Sequence, residues 1–220
     1  MTANAKNMGD RVSSNGVASD PQLLSVKVRE KTARIGVVGL GCVGLPLAVE
    51  FANSGHHTIG FDVDLDDAVV GRLVEEETLE AESSYERASD VDVFFVCVPT
   101  PLDEHKQPNT SYIEEATRSI AEHLRPGQLI VLKSTSYPGT TKEVMQPILK
   151  AAASEQGLEL GRDYYLAFSP ERIDPGNEKY TTANTPVVVG GTTETGAELA
   201  ALVLKQIVDE VHVVDSPKVA

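Results

Sequence analysis

The run Gly39-Leu40-Gly41-Cys42-Val43-Gly44 has glycine at three positions where a strand-to-helix turn must bring bare backbone close to an anionic ligand. It follows Ile35-Gly36-Val37-Val38, an apolar run of strand length, and leads into Leu45–Ala52, whose apolar positions suit a helix lying on a sheet. In that setting Gly39 makes the tight turn, Gly41 omits a side chain where pyrophosphate must approach, and Gly44 permits close helix packing. The backbone N–H groups of Cys42, Val43 and Gly44 at the helix start then face the phosphates. Asp62 closes the next strand, His57–Phe61, eighteen residues after Gly44. A carboxylate there accepts hydrogen bonds from the adenosine 2′- and 3′-hydroxyls, which favours NAD over a 2′-phosphorylated cofactor. Asp64 is the nearby alternative. A bare GxGxxG is weak evidence; the flanking strand, helix and acid-terminated strand give it weight.

Three further loops carry polar groups at the carboxyl ends of expected strands. Val98-Pro99-Thr100-Pro101 is stiffened by its prolines, and Thr100 offers a hydroxyl to a cofactor. Lys133-Ser134-Thr135-Ser136-Tyr137-Pro138-Gly139-Thr140-Thr141 gathers hydroxyls beside a turn, and Ser169-Pro170-Glu171-Arg172-Ile173-Asp174-Pro175-Gly176-Asn177 follows Tyr165–Phe168. If those strands are parallel neighbours, their loops converge on one crevice.

The elements needed to position these loops alternate along the chain. Apolar strands are expected at 35–38, 57–62, 79–82, 91–98, 129–132, 164–168, 186–189 and 211–214. Helices are expected over 45–52, Asp64–Leu73, 111–124, Thr140–Ala153 and Glu194–Val208, with Asp66 and Asp67 in the first turn of the second, where the dipole favours acids. Strands without a polar face, separated by amphipathic helices, specify an α/β fold: a doubly wound, Rossmann-like, mostly parallel sheet with helices on both faces. Residues 1–21 are small, polar and aperiodic and read as a disordered tail. Leu23, Leu24, Val26 and Val28 fit either a strand or a helix edge. The binding domain then spans 22–214.

Composition removes several function classes. The chain has 220 residues, 41% of them apolar, which is enough for one sizeable core. Nineteen lysines and arginines stand against 33 aspartates and glutamates, a formal charge of -14 that disfavours nucleic acid as a partner. No apolar run is long enough to span a membrane, and no secretion signal opens the sequence, so a cytoplasmic location is expected. Cys42 and Cys97 lie in apolar stretches and read as buried, inert thiols outside any metal-ligand pattern, and no metal is expected. His56, His57, His105, His123 and His212 form no catalytic set and read as loop or surface residues.

The segments IGVVGLGCVGLPLAVEFANSGH, GFDVD, CVPTPL, LKSTSYPGTT and LAFSPERIDPGN, in that order, resemble the UDP-glucose/GDP-mannose dehydrogenase family from about Arg34 to Val214. SPERIDPGN is more similar to the branch that oxidises UDP-N-acetylhexosamines than to the UDP-glucose branch. The resemblance implies oxidation of a sugar C6 alcohol to a carboxylate with reduction of two NAD. It assigns Gly39, Gly41, Cys42, Val43, Gly44, Asp62, Pro99, Thr100 and Thr135 to the cofactor. Catalytic positioning falls to Thr135 and Glu171, and contact with a UDP-sugar to Glu171 and Arg172. It further implies a second half bearing a central helix and a nucleophilic cysteine, a homodimer in intact relatives, and a shortened stretch between 64 and 79. Residues 215–220 would begin the central region, and this chain alone would be an incomplete enzyme. A noncatalytic NAD- or partner-binding module and a short hydroxyacid dehydrogenase are the alternatives.

Overall fold

The computed structural model describes residues 20–66, 68–102, 104, 106–171, 182 and 184–220. The expected tail, except Asp20 and Pro21, lies outside the described residues, as do Asp67, His105 and Arg172.

The chain enters through α1 (Pro21–Arg29), capped by Asp20, whose side chain accepts a hydrogen bond from the Gln22 N–H, with Pro21 at the first turn. Its buried face is Leu24 and Val28, four residues apart, which settles the ambiguity of this segment as helix. Then follow β1 (Ile35–Val38), α2 (Gly44–Asn53), β2 (Thr58–Phe61), α3 (Ala68–Glu75), β3 (Glu80–Glu82), β4 (Val93–Val96) and α4 (Ser111–Glu122). The second half continues with β5 (Leu129–Leu132), α5 (Gln146–Glu155), β6 (Tyr165–Phe168), β7 (Val187–Gly191), α6 (Glu194–Leu204) and β8 (Val211–Val214).

The eight strands among the described residues form one sheet in the order β3-β2-β1-β4-β5-β6-β7-β8. Every neighbouring pair is parallel except β6 with β7, which is antiparallel. The chain first builds outward from β1 to β3, then returns to add β4 on the other side of β1. The crevice between the ends of β1 and β4 is therefore the point where the winding reverses, and open α/β sheets bind ligands there.

Strand alternation divides the core in two. Ile35, Val37, Val93, Phe95, Leu129 and Val131 pack with Leu47 and Phe51 of α2 and Leu199 and Val203 of α6. Val38, Phe61, Phe94, Val96, Ile130 and Leu132 face Ile113 and Ile120 of α4 and Leu149 of α5 on the opposite side. Buried on both faces, β1, β2, β4 and β5 have no reason to alternate polar and apolar residues.

Several local expectations are corrected. The helix expected at Asp64–Leu73 is α3, beginning at Ala68, so Asp66 lies before it; the Asp66 N–H donates to the Asp64 carboxylate in a turn. The helix expected from Thr140 opens as a five-residue π-helical stretch, Thr141–Met145, and becomes α-helical at Gln146. Pro147 has no N–H to donate, which accounts for the departure from regular spacing. The short connection between β2 and β3 does not detach the sheet edge, because Ile59, Gly60 and Phe61 pair with Glu80, Ala81 and Glu82.

Asp92 ties the start of β4 to its surroundings. It is 4% exposed, and its carboxylate accepts from Lys27 of α1 at 2.9 Å, Arg125 at 2.8 Å and the Arg34 N–H at 3.1 Å. Burial opposes its charge, but the bonds from Arg125, Lys27 and Arg34 outweigh that cost and hold its carboxyl below the usual value. A depressed folded-state value makes this contribution complete above about pH 4 and lost as pH falls through the folded value. Asp92→Asn is therefore expected to lower stability by roughly 2 kcal/mol at neutral pH. In thermal melts across pH, the gap from the parent protein should close in acid.

Candidate nucleotide-binding and active site

The glycine turn is built as close packing demands. Gly39 has φ +89°, and a Cβ there would sit 2.9 Å from the Cys97 carbonyl oxygen on the neighbouring strand end. At Gly44 a Cβ would lie 1.8 Å from the Gly39 carbonyl oxygen, so only hydrogen fits between turn and helix. Gly41 is the opposite case: nothing lies within 4 Å of the position its Cβ would take. That opening stands in front of α2, whose cap residue Val43 supplies no side-chain acceptor. The first-turn N–H groups and the positive end of the helix dipole thus face an uncrowded concavity suited to a diphosphate.

Asp62 lies just beyond β2. Its Oδ2 accepts the Leu40 N–H at 2.6 Å and its Oδ1 accepts the Asp64 N–H at 3.1 Å. The first bond locks the carboxylate to the glycine turn, so the phosphate end and the ribose end of the crevice share one rigid frame. Each carboxylate oxygen retains a further lone pair for a ribose hydroxyl. A cleft of about 280 Å³ runs from Gly39 and Gly41 past Asp62 to Pro99 and on to Tyr85 and Glu115. Tyr85 stacks on Phe61 with ring centroids 5.4 Å apart and planes 10° apart. Its hydroxyl is pushed up to about 12 by burial, then by the charges of Glu115 and Asp62. The glycines, Asp62 and a flat aromatic wall thus fit a dinucleotide's adenosine and diphosphate.

The later loops also meet. The Thr100 hydroxyl donates to the Thr135 carbonyl, and the Ser134 hydroxyl donates to the Val98 carbonyl at 2.7 Å. Thr135 itself is exposed. Lys133 and Glu171 form an ion pair at 2.9 Å with side chains 2% and 7% exposed. The loops after β4, β5 and β6 are therefore cross-linked by side chains at one edge of the sheet. Reading the sequence left Lys133 without a role. Its only signal was a cation directly after the apolar strand Leu129–Leu132. Glu82, Tyr85 and Glu115 were also missed, because only the folded sheet brings β3 and α4 beside Asp62.

The cysteines divide. Cys42 is exposed in the turn, correcting the expectation that it is buried, since the residues around it must leave room above Gly41. Cys97 is buried, and burial pushes its thiol up to about 12, with Glu171 adding to the shift and Lys133 opposing it. A thiol so hard to ionise is a poor nucleophile. Among the histidines, His56 departs from the loop or surface expectation. It is 3% exposed, its Nδ1 lies 3.4 Å from the Ala33 carbonyl, and burial together with Lys31 lowers its pKa.

Comparison with known proteins identifies the family of the chain. The NAD binding domain of the UDP-glucose/GDP-mannose dehydrogenase family matches residues 64–208, and the chain belongs to that family. NAD is the cofactor of this domain. The chain is 36% identical over 209 residues to UDP-N-acetyl-D-glucosamine 6-dehydrogenase of Pseudomonas aeruginosa, covering 86% of this chain and 47% of that protein. It is 34% identical over 192 residues to UDP-N-acetyl-D-mannosamine dehydrogenase of Pyrococcus horikoshii, covering 80% of this chain and 45% of that protein. The solved structure of UDP-D-ManNAc dehydrogenase from Pyrococcus horikoshii superposes with a TM-score of 0.72 at 30% identity, over 84% of this chain and 47% of that one. The chain thus spans about half the length of the curated relatives it matches. No helix among the described residues is long and apolar enough to cross a membrane.

Gly41 and Gly44 make opposite predictions. Gly41→Val should leave thermal stability within about 0.5 kcal/mol, yet weaken NAD binding at least tenfold in calorimetry by filling the concavity. Gly44→Ala should lower stability by roughly 1–3 kcal/mol, because turn and helix must separate.

Proposed function

We propose that this chain is the cofactor-binding half of an NAD-dependent UDP-N-acetylhexosamine 6-dehydrogenase, acting in the cytoplasm, with Gly39, Gly41, Cys42, Val43, Gly44, Asp62, Pro99 and Thr100 holding the cofactor. The observation carrying the reading is the pairing of open space above Gly41 with a carboxylate fixed to the same turn at Asp62. Similarity to UDP-N-acetyl-D-glucosamine 6-dehydrogenase and UDP-N-acetyl-D-mannosamine dehydrogenase supports the substrate class, and two free cysteines suit a reducing compartment.

The bound dinucleotide supplies the hydride acceptor. This chain's part is to fix geometry around it. Thr100 holds the Thr135 loop against the β4 edge, leaving the exposed Thr135 side chain to orient a water or sugar oxygen. Glu171, held by Lys133, is the acceptor for a proton leaving the C6 alcohol, directly or through water. Arg172, adjacent in sequence, is assigned to the anionic part of the UDP-sugar. Cys97 is too buried to carry the second oxidation, so the thiohemiacetal step belongs to the remaining half of the protein. By kinship with the family, a homodimer is the working assembly.

A second reading is a noncatalytic NAD-binding module, in which the buried Lys133–Glu171 ion pair braces the loops rather than serving proton transfer. Calorimetry with NAD, followed by NADH absorbance with UDP-N-acetylglucosamine and UDP-N-acetylmannosamine, separates the two. The chain completed by a family C-terminal half should bind NAD and reduce it with one of those sugars. In that completed enzyme Thr135→Ala and Glu171→Gln should each lower turnover roughly a hundredfold, and Glu171→Gln should leave NAD affinity little changed. NAD binding without turnover in the completed protein would favour the noncatalytic module, and absence of NAD binding by folded protein would remove both readings.

A further inference from the structure

The adenosine end of the cleft is lined by three carboxylates from three different elements: Asp62 beyond β2, Glu82 at the end of β3 and Glu115 on α4. Glu82 is the register partner of Phe61, and its carbonyl accepts the Asp62 N–H at 3.1 Å. At a strand separation of about 4.8 Å, Glu82 stands beside the ribose-binding position. Glu115 lines the same cleft from α4, and its charge and that of Asp62 both act on the Tyr85 hydroxyl.

We propose that Glu82 and Glu115 are specificity-determining residues that act with Asp62 to repel a 2′-phosphate, so that preference for NAD over NADP survives the loss of Asp62. This rests on the NAD reading of the cleft and extends it. Asp62 selects NAD by accepting a ribose hydroxyl; Glu115 contributes by repulsion, and Glu82 by repulsion and by its hold on Arg87, the second of the two routes to discrimination. The structure also contains the residue that would defeat this arrangement. Arg87 lies next to Glu82, and an arginine at this edge is the ordinary receptor for a 2′-phosphate. Here its guanidinium pairs with Glu80, with Glu82 at 3.1 Å and with Asp90 at 3.6 Å, so three acids already occupy it.

The test is calorimetric titration of NAD and NADP onto the full chain as wild type, Asp62→Asn, Asp62→Asn with Glu82→Gln, and Asp62→Asn with Glu115→Gln. Glu115→Gln lies on an exposed helix face and leaves the Arg87 network untouched, so it reports even if Glu82→Gln disturbs the edge strand. Asp62→Asn should weaken NAD about tenfold while NAD remains the tighter ligand. Each added neutralisation should tighten NADP about three- to tenfold at low ionic strength, a gain that shrinks as salt screens the carboxylates. NADP binding to Asp62→Asn as tightly as NAD would overturn the proposal, as would NADP affinity indifferent to both neutralisations. Wild-type protein that is folded but binds no NAD would instead remove the reading of the cleft on which the proposal stands.

Discussion

The start of α2 comes so near the Gly39 carbonyl that a single methyl group at Gly44 would lie 1.8 Å from its oxygen. That closeness fixes where the first helical N–H groups point and how much room is left above Gly41. It also presents the Leu40 N–H to Asp62, whose carboxylate closes the frame. A dinucleotide needs its diphosphate and its adenosine ribose held at a set separation. Here the two receptors are joined by one short hydrogen bond rather than by two independently mobile loops. The lack of a side-chain cap on α2 is consistent with this, because a capping side chain would compete for the same N–H groups.

The edge that carries Thr135 and Glu171 is braced differently. Backbone pairing aligns β4, β5 and β6, and then Thr100, Ser134 and the Lys133–Glu171 pair tie their loops together above the strands. A buried ion pair is weak evidence of net stabilisation, since desolvation of both charges offsets their attraction. It does hold a carboxylate in one place, which suits a group that must meet a substrate in fixed geometry. The end of the cleft beyond Asp62 is lined by Glu82 of β3 and by Tyr112, Glu115, Ala116 and Ser119 of α4.

Much of the fold was legible in the sequence. An uninterrupted apolar run gave β5 at Leu129–Leu132 with its observed ends, because a strand buried on both faces leaves no alternation to misread. The glycine spacing and the acid after β2 were equally direct, since both answer local backbone needs. The unassigned α1 is explained by its length: apolar residues at 23, 24, 26 and 28 fit both periods. Asp20 and Pro21, the cap and first-turn proline of this helix, were signals left unused. The antiparallel turn of β7 had no signature, because a strand's direction is a property of its connection. Lys133 with Glu171, and Asp62 with Glu82 and Glu115, are partnerships across strands that no local pattern records. Cys42 was misjudged from its apolar neighbours, although a residue in a turn that must admit a ligand cannot also be covered.

The central claim is that this one turn cradles a diphosphate while Asp62 holds the adjoining ribose. A crystal structure of the chain grown with NAD tests it most directly. The account predicts the diphosphate within hydrogen-bond distance of the N–H groups of Cys42 and Val43, with the adenosine ribose on the Asp62 carboxylate and the adenine against Tyr85. A dinucleotide bound elsewhere on the sheet edge, with the space above Gly41 left to solvent and Asp62 making no contact to it, would contradict the account.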